Sequence, residues 1–191
     1  MKWVGLTGRA GAGKDYTFTE LQKMLPELRR VSFADGLRFD IEETLEEASL
    51  PVLWNKPYSD EVRRLLQWWG TDLRRAEDPN FWVNRAEGIA MKVLEKGKTP
   101  VFTDVRFPNE AEMIRDNGGI IVRVTAPLLT RERRLGTLPP EHASEVEMDA
   151  IPVDLTHVST PHKQYGHSLR KILVEARIDD LMEGIIESFN T

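Results

Sequence analysis

Apolar positions along the chain fall into two regimes: short continuous runs, and stripes spaced by three and four residues. Trp3 to Thr7 is a run ending at a glycine, the form of a buried parallel strand. Residues 14–25 place Phe18, Leu21, Met24 and Leu25 on one helical face, and Pro26 ends them. Leu28 to Phe33 reads as a second strand. Leu37, Ile41 and Leu45 step by four and predict a helix that stops before Pro51. Across 58–75, Val62, Leu65, Leu66, Trp69 and Leu73 keep helical spacing. Another helix fits 80–96, with Val83, Ala86, Ile89, Ala90, Val93 and Leu94 turned inward. Residues 100–105 form a third apolar run, which emerges at Asp104. A short helix over 108–117 is closed by Gly118 and Gly119. Ile120 to Thr125 and Val153 to Val158 complete the strands. Between them, 126–152 carries prolines and a basic run and reads as an irregular excursion over the surface. Leu169, Ile172, Leu173, Ala176, Leu181, Ile185 and Phe189 make a closing amphipathic helix.

Strands alternating with helices predict an α/β fold class, a parallel sheet covered by helices on both faces in three layers. The 191 residues suit one domain with a real core. A net charge of −5 argues against a protein that coats DNA, which would need many cations against phosphates, so no stable nucleic acid binding is expected. A small anionic substrate needs only a local cluster of cations. The absence of Cys removes disulfides, thiolate zinc sites and cysteine nucleophiles. The apolar runs are short of a membrane span, and no signal peptide fits the N-terminus. The expectation is a soluble, cytoplasmic protein with no membrane contact.

Gly8-Arg9-Ala10-Gly11-Ala12-Gly13-Lys14-Asp15 matches G-x-x-x-x-G-K between the first strand and the first helix, the context this phosphate-binding loop requires. Its glycines permit close backbone approach, its N–H groups and the helix N-terminus favour anions, and Lys14 reaches the β- and γ-phosphates. Asp15 stands where a Ser or Thr hydroxyl usually meets Mg²⁺. A carboxylate ~4 Å from a phosphate charge meets repulsion of ~4 kcal/mol in a medium of intermediate dielectric, and a shared Mg²⁺ offsets it. Asp15 therefore serves the metal or one of its waters, or else complements the helix dipole alone.

Asp104 ends an apolar strand, where parallel sheets place their ligands and where an acid commonly holds Mg²⁺ or its water. Glu110, in a first helical turn, needs no function beyond the dipole. The 17 arginines gather at Arg63-Arg64, Arg74-Arg75 and Arg131, Arg133, Arg134, and their forked guanidinium suits phosphate. Trp69 falls on an apolar stripe, whereas Trp68 is open to stacking on a base. His142, Ser144 and Glu145 lie close in sequence but resemble no nucleophile elbow, and the four His residues lack zinc spacing. Asn55-Lys56-Pro57-Tyr58 lacks the acid of a guanine-specificity motif.

With these residues assembled, the chain resembles the bacteriophage deoxynucleoside monophosphate kinases, within the P-loop nucleoside monophosphate kinase fold. The matching pieces are Gly13-Lys14-Asp15, Ser32-Phe33-Ala34-Asp35, Arg63-x-x-Leu66-Gln67-x-x-Gly70-Thr71-Asp72-x-x-Arg75, Asp104-Val105-Arg106-Phe107-Pro108-Asn109-Glu110 and His142-x-Ser144-Glu145. Tyr16 stands where the family often has Thr, and Gly36 where it often has Pro. The resemblance implies a single P-loop kinase domain over 1–191 with a lid at about 126–152. It implies transfer of the γ-phosphoryl of ATP to a deoxynucleoside 5′-monophosphate, with Mg²⁺ as metal. ATP would meet Arg9, Gly11, Gly13, Lys14, Asp15 and Thr17, and the metal would meet Asp15 and Asp104. The acceptor would meet Ser32, Asp35, Arg63, Gln67, Arg75, Thr137 and Glu145, with Arg63 and Arg106 gripping its phosphate and Arg131 and Arg134 closing as the lid. A homodimer is left open. So are two rivals, a P-loop kinase for another small metabolite such as a coenzyme A precursor, and a nucleotide-binding ATPase module without acceptor.

Overall fold

In the computed structural model, residues 3–47, 59–137, 148–159 and 165–176 are described. Their strands are β1 (Val4–Thr7), β2 (Leu28–Val31), β3 (Thr99–Val105), β4 (Ile120–Thr125) and β5 (Leu155–Val158). All pairings are parallel, and the sheet order is β2-β3-β1-β4-β5. Side-chain alternation at period two builds a core on each face. Val4 and Leu6 of β1, Val101 of β3 and Ile120, Val122 and Val124 of β4 face one cluster. Trp3, Phe102, Val105 and Ile121 face the other.

The helices are α1 (Lys14–Met24), α2 (Phe33–Glu47), α3 (Asp60–Gln67), α4 (Phe81–Glu95), α5 (Pro108–Asp116), α6 (Leu128–Leu135) and α7 (Tyr165–Glu175). Phe18 and Leu21 of α1 and Leu169, Ile172 and Leu173 of α7 cover the first face. Phe33 of α2, Trp82, Val83 and Ala86 of α4 and Ala111, Met113 and Ile114 of α5 cover the second. The three-layer α/β expectation holds. No helix among the described residues is long and apolar enough to cross a membrane.

Three local expectations are corrected. Phe33 belongs to α2 and not to the second strand, because a carboxylate from β3 captures the backbone amides of Phe33 and Ala34. The helix expected over 58–75 changes at Trp68 into a π-helical segment, Trp68–Arg75. There the Trp82 indole donates to the Gly70 carbonyl at 2.9 Å, and Leu37 packs where a Gly70 side chain would stand. The excursion is not irregular throughout, since α6 occupies its first third. Residues 138–147 of that excursion, Asn55 to Tyr58 and the closing helix beyond 176 lie outside the described residues.

The sheet order has a consequence for ligands. From β1 the chain goes outward to β2, returns to insert β3 beside β1, then crosses to β4 on the other side. That reversal opens a crevice at the carboxyl end of β1, the place where open α/β sheets bind ligands.

Candidate active site

The loop after β1 fills that crevice. Gly8 adopts φ +143°, and a Cβ there would stand 2.1 Å from the Val124 carbonyl oxygen. Gly13, at φ +96°, begins α1, and a Cβ there would meet Ser159 Oγ at 2.7 Å and Arg134 Nη1 at 2.8 Å. Only glycine fits either position. Lys14 bends back so that its Nζ donates to the Gly8 carbonyl. The amide of Gly8 donates to Met148 Sδ at 3.0 Å. Arg9 pairs with Asp149, whose carboxyl is held below its usual range, first by that hydrogen bond. Asp15 is exposed in the first turn of α1.

Thr17 departs from expectation. It is fully buried, and its hydroxyl has no hydrogen-bond partner among the described residues. Its side chain is closed to solvent in this arrangement, while the neighbouring Lys14 is half-buried.

The carboxylate expected at the metal has a structural task as well. Asp104 Oδ2 accepts from Ser32 Oγ at 2.7 Å and from the Ala34 amide at 3.0 Å, while Oδ1 accepts from the Phe33 amide at 3.0 Å. It thus caps α2 from another strand, satisfying amides that a helix start leaves open. Ser32, expected at the acceptor, is spent on this cap and is only 3% exposed. Two residues along, Asp35 holds Arg30 at 2.5 Å and also Arg38. Burial alone would lower the Arg30 pKa, but the Asp35 hydrogen bond and the charges of Asp35, Asp104 and Asp15 together raise it.

No group of three or more His, Cys, Asp or Glu side chains forms a metal cage among the described residues. Mg²⁺ does not require one, since it is ordinarily held by one or two carboxylates with waters and substrate phosphates. Asp15 and Asp104 offer hard oxygen donors of that kind, and Oδ1 of Asp104 carries a single bond among the described residues. The donor set fits Mg²⁺.

Of the residues expected at the acceptor, Arg63 and Gln67 are exposed on α3, and Arg106 is exposed after β3. Arg75 pairs with Glu110 at 2.5 Å, and its guanidinium lies 4.0 Å from the Phe107 ring centroid. Trp69 donates through its indole to Asp40 at 2.8 Å and packs on the core, as its spacing implied, whereas Trp68 is 51% exposed. Thr137 is exposed just past α6. Glu145, with His142 and Ser144, lies outside the described residues.

The two arginines expected in the lid part company. The Arg131 backbone lies against Gly11. Arg134 turns down onto the phosphate loop: Nη1 donates to the carbonyls of Gly11 and Ala12, each at 3.0 Å, and to Ser159 Oγ at 2.9 Å. Its Nη2 donates to the Ser159 carbonyl at 3.0 Å. In this arrangement Arg134 is bonded to the loop's own carbonyls and to Ser159. Reading the sequence alone missed Arg30, Arg38, Met148, Asp149 and Ser159. Arg30 could have been found as a charge near the end of an apolar strand; Ser159 carries no signal.

No family model matches the sequence. The chain is 27% identical to the "putative deoxynucleotide monophosphate kinase" of Acanthamoeba polyphaga mimivirus, over 176 aligned residues covering 79% of this chain and 84% of that protein. In three dimensions it is similar to the protein TT1252 of Thermus thermophilus, with TM-score 0.56 and 19% identity, covering 91% of this chain and 97% of the other. A looser likeness, TM-score 0.49 at 15% identity, joins it to the shikimate kinase of Bacteroides thetaiotaomicron, over 95% and 98% of the two chains.

Proposed function

We propose that the chain is an ATP-dependent nucleotide kinase that phosphorylates a deoxynucleoside 5′-monophosphate to the diphosphate. One observation carries the reading. A glycine loop with Lys14 sits at the switch point of a parallel sheet, and the same chain adds exposed cations at Arg63 on α3 and Arg106 after β3, with Arg75 partly exposed beside Glu110. An ATPase needs no such second set of cations, whereas a phosphorylated acceptor does. The likeness to the mimivirus protein supports the deoxynucleotide as acceptor.

Catalysis in this reading is positioning and charge neutralisation, since phosphoryl transfer asks little covalent chemistry of a protein. The acceptor phosphate is already a nucleophile and needs no general base. The amides around Gly11 and Gly13 and the Lys14 ammonium hold the donor phosphates. Asp15, with Asp104 behind it, would hold Mg²⁺, which when bound neutralises charge on the donor. Arg63, Arg75 and Arg106 grip the acceptor phosphate, Gln67 orients its sugar or base, and Arg131 approaches from α6. Arg134 keeps the loop in shape.

The test is ADP formation from Mg-ATP with each deoxynucleoside monophosphate, each ribonucleoside monophosphate, a coenzyme A precursor and no acceptor. Strong ADP formation only with the deoxynucleotides is expected. Equal release without acceptor would replace the kinase with an ATPase.

A further inference from the structure

Glu110 is out of proportion to a helix-dipole charge. An acid in a first turn serves the dipole from the surface, yet Glu110 is 1% exposed. Its carboxylate joins three pieces of chain. Oε1 accepts from Arg75 Nη2, 35 residues away at the end of the π-helical segment. Oε2 accepts from the amides of Arg106 at 2.7 Å and Phe107 at 3.2 Å, in the turn after β3. The Phe107 ring then supports the face of the same guanidinium. A buried charge pair is a poor way to gain stability, because apolar residues of equal volume usually do as well or better. What it supplies is geometry: the plane of Arg75 is fixed by a ring, and one edge of its fork is fixed by a carboxylate. The other donors of Arg75 have no partner among the described residues, and its side chain is 13% exposed. They are the donors of a preorganised arginine with one edge left for an anion.

We infer that Glu110 is a positioning residue, which holds Arg75 and the Arg106 turn together as one clamp for the phosphate of the acceptor. The inference rests on the kinase reading above and deepens it. Glu110 touches no substrate; it acts through Arg75 and the Arg106 backbone. The clamp also explains why the end of the π-helical segment and the start of α5 are tied side chain to side chain. A monophosphate bound between Arg75 and Arg106 would contact two segments that Glu110 ties together. The charged groups whose fields reach its carboxylate are Arg75, which favours ionisation, and Asp104, which opposes it.

The experiment compares wild type, Glu110→Gln, Arg75→Met and the double variant, with separate KM values for ATP and for the deoxynucleoside monophosphate. Thermal melts accompany each. Glu110→Gln keeps the shape and should raise the acceptor KM about 10-fold, leaving the ATP KM within about 2-fold. Arg75→Met should do the same, and the double variant should be no worse than Arg75→Met, because the carboxylate acts through the guanidinium. In wild type, kcat/KM for the acceptor should climb further between pH 6 and 8 than in Glu110→Gln, tested with the same acceptor. Equal loss toward ATP and acceptor, or effects of the two single variants that multiply, would make Glu110 a packing residue and overturn the inference. If Glu110→Gln does not fold, Arg75→Met alone decides, since an unchanged acceptor KM removes the clamp. Wild type that forms no acceptor-dependent ADP would instead bring down the kinase reading itself.

Discussion

Removing the Asp104 carboxylate tests how the acceptor half of the site is built. Asp104→Ala leaves three donors without their acceptor: Ser32 Oγ and the amides of Phe33 and Ala34. A buried donor left unmatched costs about 1–3 kcal/mol. Ser32 and Phe33 are buried while Ala34 is half-buried, so water can restore part of the loss at the last. At the lower limit for each donor the sum is about 3 kcal/mol. Asp104→Asn keeps an accepting oxygen but loses the charge at a helix start, and should cost about 1–2 kcal/mol. Ser32→Ala should cost about 1 kcal/mol, and combined with Asp104→Ala should fall short of the sum by about 1 kcal/mol, because the pair shares one bond. Urea unfolding of wild type and the four variants, followed by circular dichroism, gives these numbers. A loss below about 1 kcal/mol for Asp104→Ala, or additivity within about 0.3 kcal/mol, would refute the cap. A magnesium titration of initial rate then separates the second role: a right-shifted curve in Asp104→Asn marks a metal contact in addition to the cap.

Burial pushes the Glu110 carboxyl up to about 7 against the pull of Arg75, so the folded protein binds a proton that the unfolded chain, near 4.5, releases. Stability from this group is present below pH 4.5 and lost as pH rises through about 7, on the order of 3 kcal/mol. Melting temperatures at pH 5 and 8 should therefore diverge less in Glu110→Gln than in wild type, and parallel changes would contradict this. Gly8→Ala drives a Cβ onto the Val124 carbonyl, whereas Gly118, also at positive φ, has nothing within 4 Å of that point. Gly118→Ala should cost about 1–2 kcal/mol and Gly8→Ala more than about 4 kcal/mol, with equal losses in chemical unfolding counting against the loop geometry. Arg134→Met should raise the ATP KM and destabilise by about 2 kcal/mol, since it frees loop carbonyls and Ser159. A fall in kcat alone would return Arg134 to the lid.

The strands and the phosphate loop were legible because their signals are local. Buried parallel strands read as apolar runs, and β1, the loop and α1 are contiguous. Helix α6 was missed because none of its residues is buried, so Arg131 to Arg134 leave no apolar stripe to find. The π-helical segment shares the apolar spacing of an α-helix and differs only in how Gly70 meets Leu37 and Trp82. Within the site, Lys14, Asp15 and Asp104 were singled out from their positions in the motif and at the strand end, and Arg106 only through the family resemblance. The partners were not: Ser32 and Asp104 are 72 residues apart, and Arg134 and Gly11 are 123 apart. Nothing in a local pattern says that one carboxylate caps a distant helix or that a guanidinium bonds the loop's carbonyls. Those choices arise only when the sheet order brings β3 beside β1 and α6 down on the loop.

The central claim is that a phosphoryl group moves from ATP to a deoxynucleotide on this chain. The direct measurement supplies ATP radiolabelled at the γ-phosphate, Mg²⁺ and each unlabelled deoxynucleoside monophosphate, and separates the products. The account predicts label in the deoxynucleoside diphosphate, lost in Lys14→Ala. Label found in inorganic phosphate alone, at a rate indifferent to the deoxynucleotide, would contradict it.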